Sequence, residues 1–332
     1  METTRIPGTD LQPSRIGLGT WAIGGWMWGG TDEQESIRTI HAAIDRGINL
    51  IDTAPVYGMG RSEQIVGKAI AQSDRDKLVI STKAGLEWEG RQPYRNATSE
   101  RLTAEVDDSL KRLGVDVIDI HHVHWPDPLV PIEETAGAMK EIHDAGKIRA
   151  VGVSNFSVEQ MERFRAECPL HVVQPPYNLF ERGIEADVLP YAREHDIATL
   201  TYGALCRGLL TGKMTQHQEF QGDDLRQTDP KFRQPRFIQY LTAAEKLDQL
   251  AKERFGKRVL HLALRWLLDR PGVSVALWGA RRPGQLNPVE EIADFHIDEQ
   301  TAHDIDRVLD GYIKQPVGPE FMAPPTREQK AA

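Results

Sequence analysis

The chain has 332 residues, 40% of them hydrophobic and 27% charged, and a formal net charge of −9 at pH 7. This is globular composition, and the acidic balance without a basic block argues against nucleic acid or an anionic membrane surface as a partner. Its two cysteines, Cys168 and Cys206, lack metal or redox spacing, no run approaches the roughly 18 apolar residues that span a bilayer, and no signal-peptide pattern stands at the N-terminus, so a disulfide scaffold is excluded and a cytoplasmic location is expected.

Residues 5–15, with Pro7-Gly8-Thr9-Asp10, read as a hairpin-like lead-in. Ile16-Gly17-Leu18-Gly19 is a short strand that opens into a Gly- and Trp-rich loop, 20–31. Thr31 or Asp32 can cap a helix over 33–46, whose apolar face is Ile37, Ile40, Ala43 and Ile44. Gly47 stops it, and the apolar run 48–52 reads as a buried strand ending at Asp52, with Tyr57 on the loop beyond. Ser62 is expected to cap a helix over 63–72. Strand 77–83 ends at Lys83. Thr98-Ser99-Glu100 opens a helix to Leu113, stopped by Gly114, and Asp116 leads a strand toward His124.

The same unit then recurs. Helix 132–145 precedes strand 148–153, which ends at Ser154-Asn155. Helix 157–167 precedes strand 171–174, ending at Gln174. Helix 184–195 precedes strand 197–202, ending at Tyr202. A long segment, 203–256, breaks the rhythm with a Gly-rich stretch, a polar Pro-containing stretch (216–236) and a helix, 238–254. Helix 257–269 and strand 273–278 follow, then helices 289–294 and 298–313. Residues 314–332 are Pro-rich and expected to be mobile.

Eight strands, nearly all followed by a helix, imply an α/β protein with a parallel sheet: a (β/α)8 TIM barrel with an N-terminal hairpin and extra C-terminal helices, forming one domain over 1–332. An open doubly wound sheet that bound a dinucleotide would carry a Gly-x-Gly-x-x-Gly turn after its first strand. Gly17-Leu18-Gly19-Thr20-Trp21-Ala22 lacks the third glycine.

Barrel enzymes place their chemistry at the carboxyl ends of the strands. Those ends are Thr20-Trp21, Asp52, Lys83, His124, Ser154-Asn155, Gln174, Tyr202 and Gly279-Arg281. A buried ammonium at Lys83 needs a carboxylate, and Asp52 on the neighbouring strand supplies one. A lysine near Tyr57 would favour the phenolate and lower the phenol's pKa, making Tyr57 a proton donor, with His124 orienting a substrate oxygen. Each residue alone has a bland reading as a cap, a snorkelling chain or core packing; four together point to chemistry. Lys83 could also form a Schiff base. His122 and His124 share a strand face in the manner of a metal pair, but no ligand cluster at other exits completes a set, so no metal is expected. Trp21 and Trp125 are expected to wall a substrate pocket.

Asp52-Thr53-Ala54-x-x-Tyr57-Gly58, Ser81-Thr82-Lys83, His124-Trp125-Pro126-Asp127, Gly152-Val153-Ser154-Asn155-Phe156 and Gln174-x-x-Tyr177-Asn178 resemble, in order and spacing, the signature set of the aldo-keto reductases. The likeness runs from about residue 5 to about residue 310. Residues 21–30 and 277–285 resemble the bacterial branch that includes glyceraldehyde-type and general-stress reductases. The resemblance implies a catalytic tetrad of Asp52, Tyr57, Lys83 and His124, and substrate contacts from Trp21, Tyr57, His124 and Trp125. It implies a nicotinamide cofactor across the mouth. Thr20, Trp21 and Asp52 would lie beside it, Ser154, Asn155 and Gln174 would hold its carboxamide, and Tyr202 would stack on its ring. Gly203, Leu205, Arg207, Gly208 and Lys213 would cradle the diphosphate, and Gly279, Arg281 and Gln285 would meet the adenosine end. Arg281 matches the position that meets a 2′-phosphate, so NADP(H) is the expected cofactor and a small aldehyde or ketone the substrate. A cofactor-sensing binding subunit on the same barrel is the alternative, and a metal-dependent barrel hydrolase the third.

Overall fold

The computed structural model describes residues 1–330. The apolar runs form strands β1 (Ile16–Gly19), β2 (Leu50–Asp52), β3 (Val79–Ala84), β4 (Leu86–Glu89), β5 (Gln92–Arg95), β6 (Ile118–Val123), β7 (Ile148–Ser154), β8 (Val172–Gln174), β9 (Ala198–Thr201) and β10 (Val275–Gly279). Eight of them close a barrel in the order β1-β2-β3-β6-β7-β8-β9-β10, and β10 returns to β1. Every barrel pairing is parallel. The architecture is the (β/α)8 barrel that the alternation of elements implied. The antiparallel hairpin β4–β5 stands apart, beside the mouth, where the sequence reading had only a loop.

Helices α1 (Glu33–Asp45), α2 (Arg61–Ile70), α3 (Ser99–Leu113), α4 (Ile132–Asp144), α5 (Val158–Glu167), α6 (Val188–Glu194), α7 (Arg236–Phe255) and α8 (Val259–Asp269) surround it, and α9 (Glu299–Tyr312) follows β10. Local chemistry sets their ends. The Asp32 carboxylate accepts from Glu35 N at the start of α1, and Thr98 Oγ1 accepts from Arg101 N at the start of α3. Gly114 ends α3 at φ 67°, a conformation that costs a residue with a Cβ. Leu102, Val106 and Leu113 of α3 are fully buried, each worth about 1.5–3 kcal/mol of burial. Ser62 does not cap α2. Gly60, at φ 92°, precedes that helix, and Ser62 lies inside it, bonded to Thr20 and Thr53. The expected helix at 289–294 is a 3₁₀ stretch, Pro283–Ile292.

Strand alternation divides the apolar residues into two sets. Leu50, Val79, Ile120, Ala150, Val172, Ala198, Leu200, Val275 and Leu277 fill the barrel, whose lower end Ile6 and Leu11 of the lead-in close. The opposite strand faces pack on the helices. One step further up each strand, the inward positions turn polar: Asp52, Ser81, His122 and Gln174, then Lys83 and Ser154. This change from an apolar to a polar layer positions the site.

The C-terminal segment, expected to be mobile, is drawn across the mouth. Gly318 O accepts from Lys231 Nζ (3.1 Å), Pro324 O from Arg95 Nε (2.8 Å) and Pro325 O from Arg95 N (2.9 Å). Arg327 reaches Asn96 and Asp127. The tail is held mostly through its own backbone carbonyls, which accept from Lys231 and Arg95, a resource that Pro-rich composition conceals.

Candidate active site

Asp52, Tyr57, Lys83 and His124 meet at one point. Register pairs β2 with β3 and β3 with β6, which sets Asp52 opposite Ser81 and Lys83 opposite His122. Lys83 Nζ donates to Asp52 Oδ2 (2.7 Å) and to Thr53 O (2.8 Å). Asp52 Oδ1 accepts from Ser81 Oγ (2.9 Å) and from Gln174 Nε2 (2.9 Å). The carboxylate is therefore held by three donors. Lys83 sits 5.1 Å from the centre of the Tyr57 ring. The His124 ring stands edge-on to Tyr57 at 5.9 Å, and Trp21 stacks on the other side of Tyr57 at 5.9 Å.

The electrostatics differ from expectation in one respect. Burial, helped by the Asp52 charge, pushes the Tyr57 phenol well above its ordinary pKa rather than lowering it. The reason is geometric: Lys83 spends its charge on Asp52 at contact distance, and burial lowers the lysine's own pKa. Burial and the nearby ammonium push His124 well below the usual histidine range, so its imidazole is neutral at physiological pH.

Of the residues expected to hold a cofactor, Thr20, Ser154, Asn155, Gln174 and Tyr202 are hydrogen-bonded round this point. Ser154 Oγ donates to Gln174 O (2.8 Å), and Asn155 Nδ2 donates to His124 O (3.0 Å). Asn155 occupies the left-handed region at φ 63°, and Tyr202 Oη donates to its Oδ1 (2.8 Å). Thr20 Oγ1 donates to Asp52 O (2.9 Å). The indole N–H groups of Trp21 and Trp28 are buried without a partner among the described residues, as is that of Trp266 in the core. Gly203, Gly208 and Gly212 all have positive φ, the close-turning backbone that suits a diphosphate cradle, and Lys213 is exposed beside them. Leu205 N–H neighbours this turn, and Leu205 O closes it by accepting from Gly208 N (2.9 Å). Gln285 Oε1 accepts from Arg281 N (2.7 Å), beyond the exposed Gly279.

The architecture and the motif set agree, and the sequence profile of the Aldo/keto reductase family matches residues 15–310. The chain belongs to the aldo/keto reductase family. It is 62% identical over 330 residues to aldo-keto reductase YhdN of Bacillus subtilis (strain 168), covering 99% of this chain and all of that one. It is 36% identical over 312 residues to an NADH-specific methylglyoxal reductase of Escherichia coli (strain K12), covering 90% and 94% of the two chains. The solved glycerol dehydrogenase AKR11B4 of Gluconobacter oxydans superimposes with a TM-score of 0.88 at 52% identity, covering 97% and 99%.

Within this reductase two arginines expected at the cofactor have other work. The Arg207 side chain is buried between Glu181 and Asp229, and Lys231 joins the group through Glu181 at 2.7 Å. Only the backbone of Arg207 is left to face a diphosphate. Arg281 donates to Trp28 O (2.8 Å) and Gly30 O (2.5 Å), which leaves three of its five N–H groups for an anion. Its neighbour Arg282 is exposed.

A small apolar cluster stands at the mouth. Trp125, Trp26 and Tyr57 pack with Ala54, Val56 and Leu86, and the Arg95 guanidinium lies 5.6 Å from the Trp125 ring. Sequence reasoning missed Arg95, the tail residues it holds, and the Asp223 carboxylate. The last accepts from Met27 N (3.0 Å) and Gly29 N (3.2 Å) and ties the 216–236 segment to the Trp-rich loop. Nothing local announced these. Ser81 and His122 were legible in principle, because each lies two residues before a site residue on the same strand face. Among the described residues no group of three or more His, Cys, Asp or Glu side chains could hold a metal, and no helix is long and apolar enough to cross a membrane.

Proposed function

We propose that this aldo/keto reductase reduces a small aldehyde or ketone to an alcohol with NADP(H). The convergence of Asp52, Tyr57, Lys83 and His124 at the polar mouth of the barrel carries the reading. Ser154, Asn155 and Gln174 would hold the nicotinamide, which when bound would supply hydride to the carbonyl carbon. Neutral His124 donates a hydrogen bond to the carbonyl oxygen and orients it. Tyr57 Oη then gives its proton to the oxygen as negative charge gathers there. A phenol pushed above its ordinary pKa is fully protonated at rest, and it still yields its proton to an alkoxide, a far stronger base. The Lys83 ammonium, kept charged by Asp52, stabilises the phenolate left behind.

The choice of NADP(H) over NAD(H) is supported by the free N–H groups of Arg281 and by exposed Arg282 beside it. The relatives named for methylglyoxal and glycerol support a three-carbon oxygenated substrate. Two measurements test the reading. Tyr57→Phe should lower kcat by about 10²–10⁴-fold while NADPH binding, read by fluorescence, is unchanged; full turnover in that variant removes Tyr57 from the mechanism. The kcat/KM for NADPH should exceed that for NADH, and equal values remove the role given to Arg281.

A further inference from the structure

Asp52 is held from behind by a second, deeper pair. His122 is fully buried one layer below His124, and its Nε2 lies 3.1 Å from Ser81 Oγ. Ser81 Oγ lies 2.9 Å from Asp52 Oδ1. The protons in this chain can be placed by counting. A carboxylate paired with an ammonium only accepts, so the single hydroxyl proton of Ser81 goes to Asp52. Ser81 Oγ is then an acceptor toward His122, and Nε2 must carry the imidazole's proton. The other nitrogen, Nδ1, makes no full hydrogen bond among the described residues and has only the backbone of Val153 near it.

The neighbouring strand makes room for this. His122 pairs with Gly152 across β6 and β7. A Cβ built on Gly152 would stand 2.2 Å from His122 Nδ1. Only glycine at 152 lets the ring lie inside the barrel. The groups facing the ring are Lys83 on β3, His121 and His124 on its own strand, and Asp52 through Ser81. Burial first, then Lys83 and the two histidines, keep the imidazole neutral, as a ring that donates through one nitrogen must be.

Resting on the reductase reading above, we infer that His122 is a positioning residue for the reaction: its Nε2–H donates to Ser81, fixes Ser81 as a donor to Asp52, and so holds the carboxylate that places Lys83 beneath Tyr57. Donors aligned in series strengthen one another, so the end of the chain is felt at the carboxylate.

The test compares His122→Leu, which removes the donor, with His122→Gln, whose amide restores one. With NADPH and a saturating aldehyde, His122→Leu should lose about tenfold in kcat through misplacement of Lys83, with the KM for NADPH within about twofold of the parent. Its Tm should fall modestly, because Ser81 Oγ loses its donor in a buried site, and His122→Gln should recover that fall as well. His122→Gln should recover most of the lost kcat. Parental kcat in His122→Leu, or no recovery in His122→Gln, overturns the inference. Nitrogen NMR of histidine-labelled protein supplies a readout independent of turnover: His122 should be neutral from pH 5 to 9 with its proton on Nε2, and a proton on Nδ1 overturns the hydrogen-bond chain. Absence of NADPH-dependent turnover by the parent on any carbonyl refutes the reductase reading and the reaction role of His122 with it, while the nitrogen spectrum judges the chain of donors separately.

Discussion

Lys231→Met should destabilise the barrel by an amount that its surroundings set. The ammonium is fully buried, 2.7 Å from Glu181 and 3.8 Å from Asp229, and among the described residues Arg207 is the other cation paired with these two acids. Two buried acids now balance two buried bases. Removing one base leaves a net negative charge in a site that excludes water, at a cost of about 3–5 kcal/mol. At roughly 2.1 cal/mol/K of unfolding entropy per residue, a chain of this length converts that to a fall in Tm of about 4–7 °C. The uncompensated carboxylate has an escape, which is to take up a proton. The deficit should therefore be smaller at pH 5 than at pH 8. Adding Glu181→Gln to Lys231→Met restores neutrality and should recover at least half of the loss. Thermal unfolding of the parent and both variants at the two pH values measures all of this. A fall under about 2 °C, or an equal fall at pH 5 and pH 8, would refute the view that charge balance holds this group together.

The buried histidines predict acid sensitivity. Burial and Lys83 lower His121 to about 3, and His122 and His124 are held well below the histidine range. The unfolded chain therefore binds more protons below about pH 6.5, and stability should fall as pH drops from there toward 3, by up to about 1.4 kcal/mol per pH unit for each histidine. Glu105, which burial raises to about 7, works in the opposite direction over its own range, so urea unfolding at pH 7.5, 6 and 5 is best read in a Glu105→Gln background. A stability that does not change across that range would contradict the burial of these rings. Arg95→Ala removes the side chain that bonds both Pro324 O and Pro126 O, so the KM for the carbonyl should change severalfold with NADPH affinity unchanged. An unchanged KM would detach the tail from the substrate pocket.

Much of this was legible because the βα unit punctuates itself. Gly47, Gly114 and Gly146 stop helices, short apolar runs follow, and the polar residue at each strand exit marks the mouth. The hairpin β4–β5 was only half legible: Leu86-Glu87-Trp88-Glu89 alternates and Gly90 marks a turn, but the second arm, Gln92-Pro93-Tyr94-Arg95, carries a proline and no apolar run. Arg207 was misjudged because a Gly-rich loop beside a cation suggests phosphate, whereas its partners Glu181 and Asp229 lie 26 and 22 residues away along the chain. Tyr57 was misjudged for a related reason. Sequence adjacency to a lysine-bearing strand shows that a cation is near, but not that Asp52 has already neutralised it.

Among the described residues, the segment after Tyr312 contributes no strand to the barrel. It can lengthen, shorten or change composition without shifting the register of any pairing upstream. Because its bonds run to Arg95, Asn96, Asp127 and Lys231 at the rim, exchanging this strap should change what lies over the mouth and leave the barrel strands in place.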